Sequence, residues 1–394
     1  MATSDGATSV SWDGKGNELV ISLSDEGRLR VAVLFGGRSG EHEVSLASAR
    51  SVMDAMDEKK YEIYPVGISK SGRWITGGDP MSLLQSGLKE DTEGMDVSGA
   101  LAVMEGLELA AKNASGARFP EVDVVFPVLH GPYGEDGTVQ GFLELADVPY
   151  VGAGVLGSAL GLDKIAQKAV LSANGLPVLP CLAVPRGRWR EEPEDVLQDI
   201  EKEFAYPVFV KPANLGSSVG VSKAHDRDEL VVALDLAGHY DRRLLVEAAV
   251  DAREIECSVL GNDDPKASLP GEVVPCNEFY DYKAKYIDGD SELHIPANLD
   301  EETIQEIQEM AVRAFLAIDC TGMARVDFFL CRDTGALYVN ELNTIPGFTE
   351  ISMYPKLWEA SGLPYPRLID RLIECALERY EQKKASTTFY NVEE

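Results

Sequence analysis

The chain has 394 residues, of which 45% are hydrophobic and 26% charged, and its formal net charge is −30 at pH 7. This length predicts two or three domains with ample core. The negative charge argues against nucleic acid as a partner, because binding to phosphate backbones requires a basic face.

The cysteines and the apolar segments indicate the compartment. Six cysteines are scattered without a CxxC motif or histidines at metal-binding spacing, which predicts a reduced, intracellular protein without a zinc site. No apolar stretch reaches the roughly 18 residues of a membrane helix, and the N-terminus has no signal-peptide core. We therefore expect a cytoplasmic protein with no membrane partner.

The first third of the chain has the pattern of a small parallel-sheet domain. Residues 1–27 form a polar extension, in which 19–23 is either an edge strand or part of a tail. An apolar run at 31–35, a glycine turn and apolar residues at helical spacing predict a βαβ unit that continues to a strand at 63–68. Another buried strand is predicted at 122–128, and the domain is assigned to residues 28–155.

Two polar turns follow strands of this domain. Gly36-Gly-Arg-Ser-Gly-Glu41-His-Glu-Val44-Ser places carboxylates at a strand-to-helix turn, where they either neutralise the helix dipole or lie beside a ligand at the sheet edge. His130-Gly-Pro-Tyr-Gly-Glu-Asp-Gly137 follows the later strand as a tight polar turn. The alternative for His130 is a purely structural role.

The middle of the chain predicts a compact α+β domain over residues 156–250. A helix is predicted from 158 to 173, and it carries Lys164. Lys211-Pro-Ala-Asn-Leu-Gly-Ser217-Ser218-Val-Gly220 lies between two predicted strands, and its small residues, hydroxyls and lysine suit an anion. The alternatives are a simple turn for this loop and a solvated surface position for Lys164.

The strand 244–250 and its acidic neighbour Glu254 suggest an inter-domain hinge. Backbone groups on such a hinge can bind the edge of an adenine ring, and a carboxylate can accept hydrogen bonds from ribose hydroxyls. An ordinary apolar linker with exposed acids would give the same pattern. The long segment 271–296, rich in tyrosine and charge, predicts a lid or binding loop, although its aromatic residues could simply be packing anchors.

The last third, residues 251–382, contains the strongest site prediction, and residues 383–394 form a tail. Helix 300–318 is predicted with Asp300 as its N-cap. Two alternating runs then flank Asp333-Thr-Gly335, which suits a hairpin with a three-residue loop.

Pairing across this hairpin places Asp327 opposite Glu341 and Arg325 opposite Asn343. Opposed side chains lie about 5 Å apart, so the two carboxylates repel one another unless a cation lies between them. An all-oxygen cluster of this kind suits Mg²⁺. The alternative is a solvated strand face with alternating charges.

Four blocks of sequence together resemble the D-alanine–D-alanine ligases of the ATP-grasp superfamily over about residues 30–380. They run from Gly36 to Ser45, from His130 to Gly137, from Lys211 to Gly220, and from Arg325 to Gly347. The resemblance implies an ATP-grasp fold of mixed α/β and α+β class. In it, an N-terminal parallel-sheet domain precedes two α+β lobes that enclose ATP.

The resemblance also implies an activity: phosphorylation of one D-alanine by ATP, and attack of a second D-alanine on the acyl phosphate to give D-alanyl-D-alanine for peptidoglycan. It implies ATP with two Mg²⁺ or Mn²⁺ ions, and a homodimer, and leaves open a need for a monovalent cation. The alternatives are a D-alanine–D-lactate or D-alanine–D-serine ligase, and a catalytically inactive ATP-binding regulator.

The resemblance implies a role for each matching residue. The implied catalytic residues are Glu41, Ser217, Tyr286 and Arg325, of which Glu41, Ser217 and Tyr286 form a hydrogen-bonded trio that closes the lid. The implied ATP-binding residues are Lys164, Lys211, Ser218, Glu247, Ala248, Ala249, Val250, Glu254 and Lys285. The implied substrate-binding residues are Glu41, Val44, His130, Arg325, Gly347, Ser352 and Met353. The implied metal ligands are Asp327, Glu341 and Asn343. Tyrosine at position 286 favours amide over ester formation.

Overall fold

The computed structural model describes residues 9–12, 19–22, 27–76, 78–86, 122–274, 292–349 and 351–387. The strands in this part are β1 (Ser9–Trp12), β2 (Leu19–Ser22), β3 (Leu29–Gly36), β4 (Tyr61–Ile68), β5 (Trp74–Thr76), β6 (Val124–Val128), β7 (Cys181–Pro185), β8 (Val208–Pro212), β9 (Ser222–Ala224), β10 (Arg243–Ala248), β11 (Ala252–Gly261), β12 (Lys266–Ala267), β13 (Gly271–Val274), β14 (Glu292–His294), β15 (Gly322–Cys331) and β16 (Leu337–Asn343). The helices are α1 (His42–Ala55), α2 (Pro80–Ser86), α3 (Thr138–Leu145), α4 (Val155–Leu162), α5 (Lys164–Ala173), α6 (Arg186–Glu191), α7 (Pro193–Glu203), α8 (Arg227–Tyr240), α9 (Glu301–Ala317), α10 (Met353–Ala360) and α11 (Tyr365–Lys384).

The N-terminal domain contains the predicted parallel sheet. Its strand order is β5-β4-β3-β6, with β3 parallel to both β4 and β6. The turn from β3 to α1 requires glycine, because Gly36 has φ +93° and a Cβ there would lie 2.2 Å from the Ile68 carbonyl oxygen. The turn leads directly to Glu41, which is the N-cap residue of α1. The sequence therefore predicted this sheet and its first crossover correctly.

The N-terminal extension contains two short strands. Strand β2 pairs with β1 in a separate two-stranded antiparallel sheet, with Leu19 opposite Trp12 and Ser22 opposite Ser9. Of the two expectations for residues 19–23, the strand is therefore present, although it pairs with β1 and not with the sheet of the N-terminal domain.

The central lobe is an antiparallel sheet of order β7-β10-β8-β9 that packs against helices. Strand β10 is its best-buried strand, and Leu244, Leu245 and Val246 have no measurable exposure. The same strand continues to Glu247, so the predicted hinge begins inside a rigid sheet. Strand β8 runs antiparallel beside it and places Lys211 opposite Leu245.

The predicted helix 158–173 is two helices, α4 and α5, because the chain leaves helical geometry at Asp163. Asp163 ends α4 with ψ 97° and caps α5, accepting a hydrogen bond of 2.9 Å from the Ala166 amide. The break makes Lys164 the first residue of α5. Its amide donates to the Ala213 carbonyl (3.0 Å), which ties this helix end to the 211–220 loop.

The C-terminal lobe is built on a sheet of order β14-β13-β11-β15-β16, with β12 beside β11. Helix α9 begins after Asp300, whose side chain accepts from the Thr303 amide as predicted. Helix α11 returns to the N-terminal domain, where Leu368 and Ile369 share one core with Val33. No helix in the described part of the chain is long and apolar enough to span a membrane.

Candidate active site

Two adjoining cavities lie where the three domains meet. The first has a volume of about 490 Å³, and the second has a volume of about 700 Å³. They share the residues Lys164, Gly216, Ser217, Glu256 and Glu341. The two cavities therefore adjoin along these residues.

The site residues predicted from the sequence divide between the two cavities. Those on the first cavity are Glu41, Val44, His130, Lys164, Ser217, Arg325, Glu341, Asn343, Gly347, Ser352 and Met353. Those on the second are Lys164, Lys211, Ser217, Ser218, Glu247, Ala248, Ala249, Val250, Glu254, Asp327 and Glu341. Tyr286 and Lys285 lie outside the described residues.

The β15–β16 hairpin has the predicted residue pairs at the site but a longer loop than predicted. Asp327 lies opposite Glu341 and Arg325 opposite Asn343, and Gly335 has the left-handed φ of +69° in the loop. The sequence did not predict a bulge: Phe328 pairs with Val339, so Asn340 has no partner residue on β15. Between the bulge and the loop the pairing is one residue off the prediction, and the loop from Cys331 to Ala336 encloses four residues instead of three. The Ile345 amide donates to the Asn343 side-chain oxygen (3.1 Å), which fixes the orientation of that amide group.

Arg325 is the central cation of this hairpin. Its guanidinium donates two hydrogen bonds of 2.7 Å to Asp327 and lies 3.0 Å from Glu256. Burial disfavours the charged form, but Asp327 and Glu256 outweigh burial and raise the pKa of Arg325 well above its usual range. Arg325 therefore carries a permanent positive charge at the boundary of the first cavity.

Lys164 links the hairpin to the 211–220 loop. Its ammonium donates to the Leu215 carbonyl (2.8 Å) and lies 3.3 Å from the Glu341 carboxylate. The alternative of a solvated surface lysine is wrong, because the side chain is only 12% exposed. The lysine faces both cavities from the start of α5.

The 211–220 loop has an uncommon backbone conformation. Ser217 and Ser218 have φ values of +51° and +56°, which are rare for residues other than glycine, asparagine and aspartate. Residues held in such conformations cluster at ligand sites because the surrounding structure must hold them there. The loop is therefore more than a simple turn, and its serines border the second cavity.

Three buried charges lie at the floor of the second cavity. Glu247 forms ion pairs with Lys211 (2.6 Å) and with Lys168, and the exposed fractions of these side chains are 1%, 13% and 3%. Burial alone would raise the pKa of Glu247, but the two ammonium groups lower it, so the carboxylate stays ionised. Lys168 was not predicted as a site residue, although its spacing of four from Lys164 places both on one face of α5.

Glu41 of the N-terminal domain contacts the 211–220 loop. The Ser217 hydroxyl donates to the Glu41 carboxylate, across 176 residues of sequence. Gly216 lets the loop come this close, because a Cβ there would lie 2.9 Å from Glu41 Oε2. The contact joins the first domain to the central lobe at the boundary of the two cavities.

We expect Gly216→Ala to lower kcat about tenfold or more, since its Cβ would displace the Glu41 carboxylate and break the contact with Ser217. Gly187→Ala is the matched control, because no atom lies within 4 Å of a Cβ at that position. Steady-state kinetics and thermal unfolding should show a kcat effect in the first variant alone. Equal kcat in both variants would contradict the importance of the contact.

His130 is buried in the wall of the first cavity. Its Nδ1 lies 2.9 Å from the Ile345 carbonyl oxygen, so this nitrogen carries the proton. Burial lowers the pKa of the imidazole, and Nε2 has no hydrogen-bond partner among the described residues. The neutral ring therefore presents a buried acceptor that a bound molecule could use.

Glu135 is a further carboxyl group in the first cavity, and the sequence analysis gave it no role. Its Oε1 accepts from the Gly131 amide (2.8 Å), and its side chain faces Glu41. Burial raises the pKa of Glu135 from its ordinary value of 4.5 to about 8, and the neighbouring Glu41 charge adds to this effect. The only signal in the sequence is an acidic residue inside a glycine-rich turn after a buried strand.

The raised pKa predicts how stability depends on pH. The folded protein keeps the Glu135 proton between pH 4.5 and about 8, whereas the unfolded protein releases it. The free energy of unfolding should therefore decrease over this window as pH rises. From pH 5 to pH 8, wild type should lose at least about 1 kcal/mol more than Glu135→Gln, which cannot titrate. Urea unfolding measures this, and parallel pH profiles would contradict it.

The end of the first cavity opposite the hairpin is a helix N-terminus. Ser352 precedes α10, and its hydroxyl accepts from the Thr349 amide (3.1 Å). A Cβ at Gly347 would lie 2.7 Å from the Ser352 hydroxyl oxygen, so Gly347 lets the chain pass close to this helix. Met353, the first helical residue, lines the first cavity, and a helix N-terminus favours an anion.

Comparison with known proteins matches this chain to one family along most of its length. The family model described as "D-ala D-ala ligase N-terminus" matches residues 30–153, and the model described as "D-ala D-ala ligase C-terminus" matches residues 170–374. The chain is 49% identical over 364 residues to a D-alanine–D-alanine ligase of Natranaerobius thermophilus, covering 92% of this chain and 99% of that protein. It is 54% identical over 355 residues to the same-named protein of Thermoanaerobacter pseudethanolicus, covering 90% and 98%.

Solved structures give the same result. The D-alanine–D-alanine ligase from Coxiella burnetii matches with a TM-score of 0.75 at 38% identity, covering 91% of this chain and 97% of that one. The VanG D-Ala:D-Ser ligase from Enterococcus faecalis matches with a TM-score of 0.76 at 37% identity, covering 89% and 99%.

Proposed function

The chain belongs to the D-alanine–D-alanine ligase family, and on this basis we propose that it joins two D-alanine molecules through a D-alanyl phosphate formed with ATP. The observation that carries the proposal is the shared boundary of the two cavities. A cleft with lysines on its walls meets a cavity lined by Glu41, His130 and Arg325. Phosphoryl transfer between two bound molecules requires such a meeting point.

We assign ATP to the second cavity. Lys164, Lys211 and the left-handed serines of the 211–220 loop would contact its phosphates, and Glu254 would accept hydrogen bonds from the ribose. For the adenine edge, the Ala248 and Ala249 amides already donate to Pro180 and Pro207 carbonyls. The Val250 amide is therefore the hinge donor that we assign to adenine.

We assign the two D-alanine molecules to the first cavity. The Glu41 carboxylate would bind the ammonium of the first molecule, near Val44 and the Nε2 acceptor of His130. The carboxylate of the second molecule would lie at the N-terminus of α10, against Ser352 and the Met353 amide. This arrangement points the first carboxylate toward the cavity boundary, where Arg325 and the Gly347 amide can stabilise negative charge.

Asp327, Glu341 and Asn343 would hold the divalent metal ion that the family implies. Within the described residues no group of three His, Cys, Asp or Glu side chains could hold a metal, so the site depends on the Asn343 oxygen beside two carboxylates. This all-oxygen donor set fits Mg²⁺. The ion would neutralise charge on the transferring phosphoryl group. Two ions, as the resemblance implies, remain our proposal.

The reaction follows from these positions. A carboxylate oxygen of the first D-alanine attacks the γ-phosphorus, and the bond to the ADP oxygen breaks. The amine of the second D-alanine, having lost a proton, attacks the acyl carbon. Arg325 stabilises the oxyanion that forms, and inorganic phosphate leaves with the original carboxylate oxygen. Exclusion of water protects the acyl phosphate from hydrolysis.

The test is ADP release measured over a panel of D-alanine, D-serine and D-lactate, with products identified by mass spectrometry. We expect D-alanine alone to give ADP and D-alanyl-D-alanine in equal amounts. A requirement for D-serine or D-lactate near neutral pH would favour the ligases with those second substrates. Tyrosine at position 286 favours amide over ester formation and so argues, from sequence alone, against D-lactate as the second substrate. ATP binding without amino-acid-dependent ADP release would indicate an inactive regulator.

A further inference from the structure

The buried ions below the second cavity include one lysine that cannot contact a bound molecule directly. Lys168 lines neither cavity, and its side chain is 3% exposed. Its ammonium forms an ion pair with Glu247 and donates to the Asn340 carbonyl at 3.2 Å. Any effect of Lys168 on a ligand must therefore act through the groups that it holds.

The contacts of Lys168 connect two strands, and one of them is made at a β-bulge. Asn340 is the bulged residue of β16, opposite no residue of β15. Lys168 thus joins the strand that carries Glu341 to the strand that carries Glu247. Both of those carboxylates lie on the wall of the second cavity.

Lys168 also changes the net charge of the buried cluster that it forms with Glu247 and Lys211. Glu247 is ionised and pairs with Lys211, the lysine that faces the cavity. With Lys168 included, the cluster of two lysines and one glutamate carries a net charge of +1. Without it, Glu247 and Lys211 would form a neutral pair, and the floor of the cavity would lose its attraction for anions.

We propose that Lys168 is a positioning residue for the nucleotide: it offsets the negative charge of Glu247, so that the cluster keeps a net positive charge at Lys211, toward the phosphates. The inference rests on the proposed function, since it assumes that the second cavity binds a nucleoside triphosphate. It assigns recognition of the phosphates partly to a residue that never touches them.

The test compares the dissociation constants of ATP and adenosine, measured by calorimetry in the presence of Mg²⁺. Adenosine lacks the phosphates, so the ratio of the two constants isolates phosphate recognition. We expect Lys168→Met to reduce the preference for ATP roughly tenfold, while adenosine binding changes less than twofold. Lys168→Arg should retain the preference. Lys60→Met, which removes a lysine from the buried Asp370 outside both cavities, is the matched control.

A charge-restoring variant separates this account from simple stabilisation. Lys168→Met combined with Glu247→Gln returns the net charge to +1 and should recover most of the preference for ATP. Glu247→Gln alone, with a net charge of +2, should bind ATP with at least the wild-type preference. If Lys168→Met does not fold, the two Glu247→Gln variants still test the charge effect, and the double variant should have the lower preference.

The measured preferences for ATP over adenosine also define which results would overturn the inference. Equal preference for ATP in wild type and Lys168→Met would overturn it, and so would equal preference in the two Glu247→Gln variants. A wild-type protein that binds adenosine as tightly as ATP would overturn the proposed function, and the inference with it. Equal preferences among the variants would overturn only the role of Lys168 and would leave the proposed function unaffected.

Discussion

Replacing Arg325 by methionine is expected to lower kcat by roughly 10²–10³-fold, the usual effect of losing one donor to a developing oxyanion. Arg325 is placed for this role because two hydrogen bonds of 2.7 Å to Asp327 fix its guanidinium at the wall of the first cavity. The substitution should also lower the free energy of unfolding by about 3–5 kcal/mol, since it removes the buried guanidinium that pairs with both Asp327 and Glu256.

The stability effect must be separated from the catalytic one. Arg253 offers a matched control in the same sheet: it forms two similar hydrogen bonds to Glu272 (2.8 and 2.7 Å) and lines neither cavity. Arg253→Met should lower stability while leaving kcat within about twofold. Steady-state kinetics at a temperature where both variants are folded makes the comparison. An Arg325→Met enzyme with a kcat like that of the control would exclude the oxyanion role.

Glu341→Gln is expected to cause the other large loss, about 10³-fold or more in kcat, because it removes a charged ligand from the proposed metal site. Glu341 lies opposite Asp327 and 3.3 Å from Lys164, at the boundary of the cavities. The amide cannot offset the charge of the ion or of Lys164. A weaker metal complex should follow from the lower charge of the ligand set.

Metal binding gives a measurement that does not depend on activity. Electron paramagnetic resonance of Mn²⁺ in the presence of ADP should show at least tenfold weaker binding in Glu341→Gln than in wild type. Glu272→Gln is the control, because it removes a carboxylate that pairs with Arg253 in the same sheet. This variant should bind Mn²⁺ as tightly as wild type does. Unchanged Mn²⁺ affinity in Glu341→Gln would remove that residue from the metal site, whatever its kinetics.

Local sequence patterns predicted the parts of the site that one hairpin or one turn determines. In β15 and β16 the alternation of apolar residues led to the correct pairs 327–341 and 325–343. The predicted three-residue loop was wrong, and the bulge at Asn340 offsets the fourth loop residue. The capped helix α9 and the glycine turn before α1 were correct for the same reason. In each case the determining residues lie within about twenty positions of one another.

The remaining features depend on tertiary contacts that no local pattern contains. Asp163 breaks the predicted helix, and there it also pairs with Arg243, 80 residues away. Lys168 looked like any helical lysine, and only the packing of β10 brings Glu247 to it. Glu135 gains its raised pKa from burial and from Glu41, which lies on another element. Contacts between residues this far apart in the sequence depend on the tertiary structure and could not be predicted from local patterns.

With a net charge of −30, the protein must bind a negatively charged triphosphate through nearby positive groups. A field of this sign repels a triphosphate at long range. The walls of the second cavity carry Lys164, Lys211 and Lys223, and Lys168 supports Lys211 from below. Interactions between exposed charges are screened beyond about 8 Å at physiological ionic strength, so these lysines and the metal ion proposed at Asp327, Glu341 and Asn343 affect a bound triphosphate more than the distant acidic surface does.

The most direct test of the proposed reaction uses D-alanine labelled with ¹⁸O in its carboxylate. If a carboxylate oxygen attacks the γ-phosphorus, that oxygen must leave with phosphate when the amide forms. Mass spectrometry of the released phosphate should then show one ¹⁸O atom for each D-alanyl-D-alanine produced. Unlabelled phosphate accompanying dipeptide formation would contradict the acyl phosphate and the shared boundary of the two cavities as its place of formation.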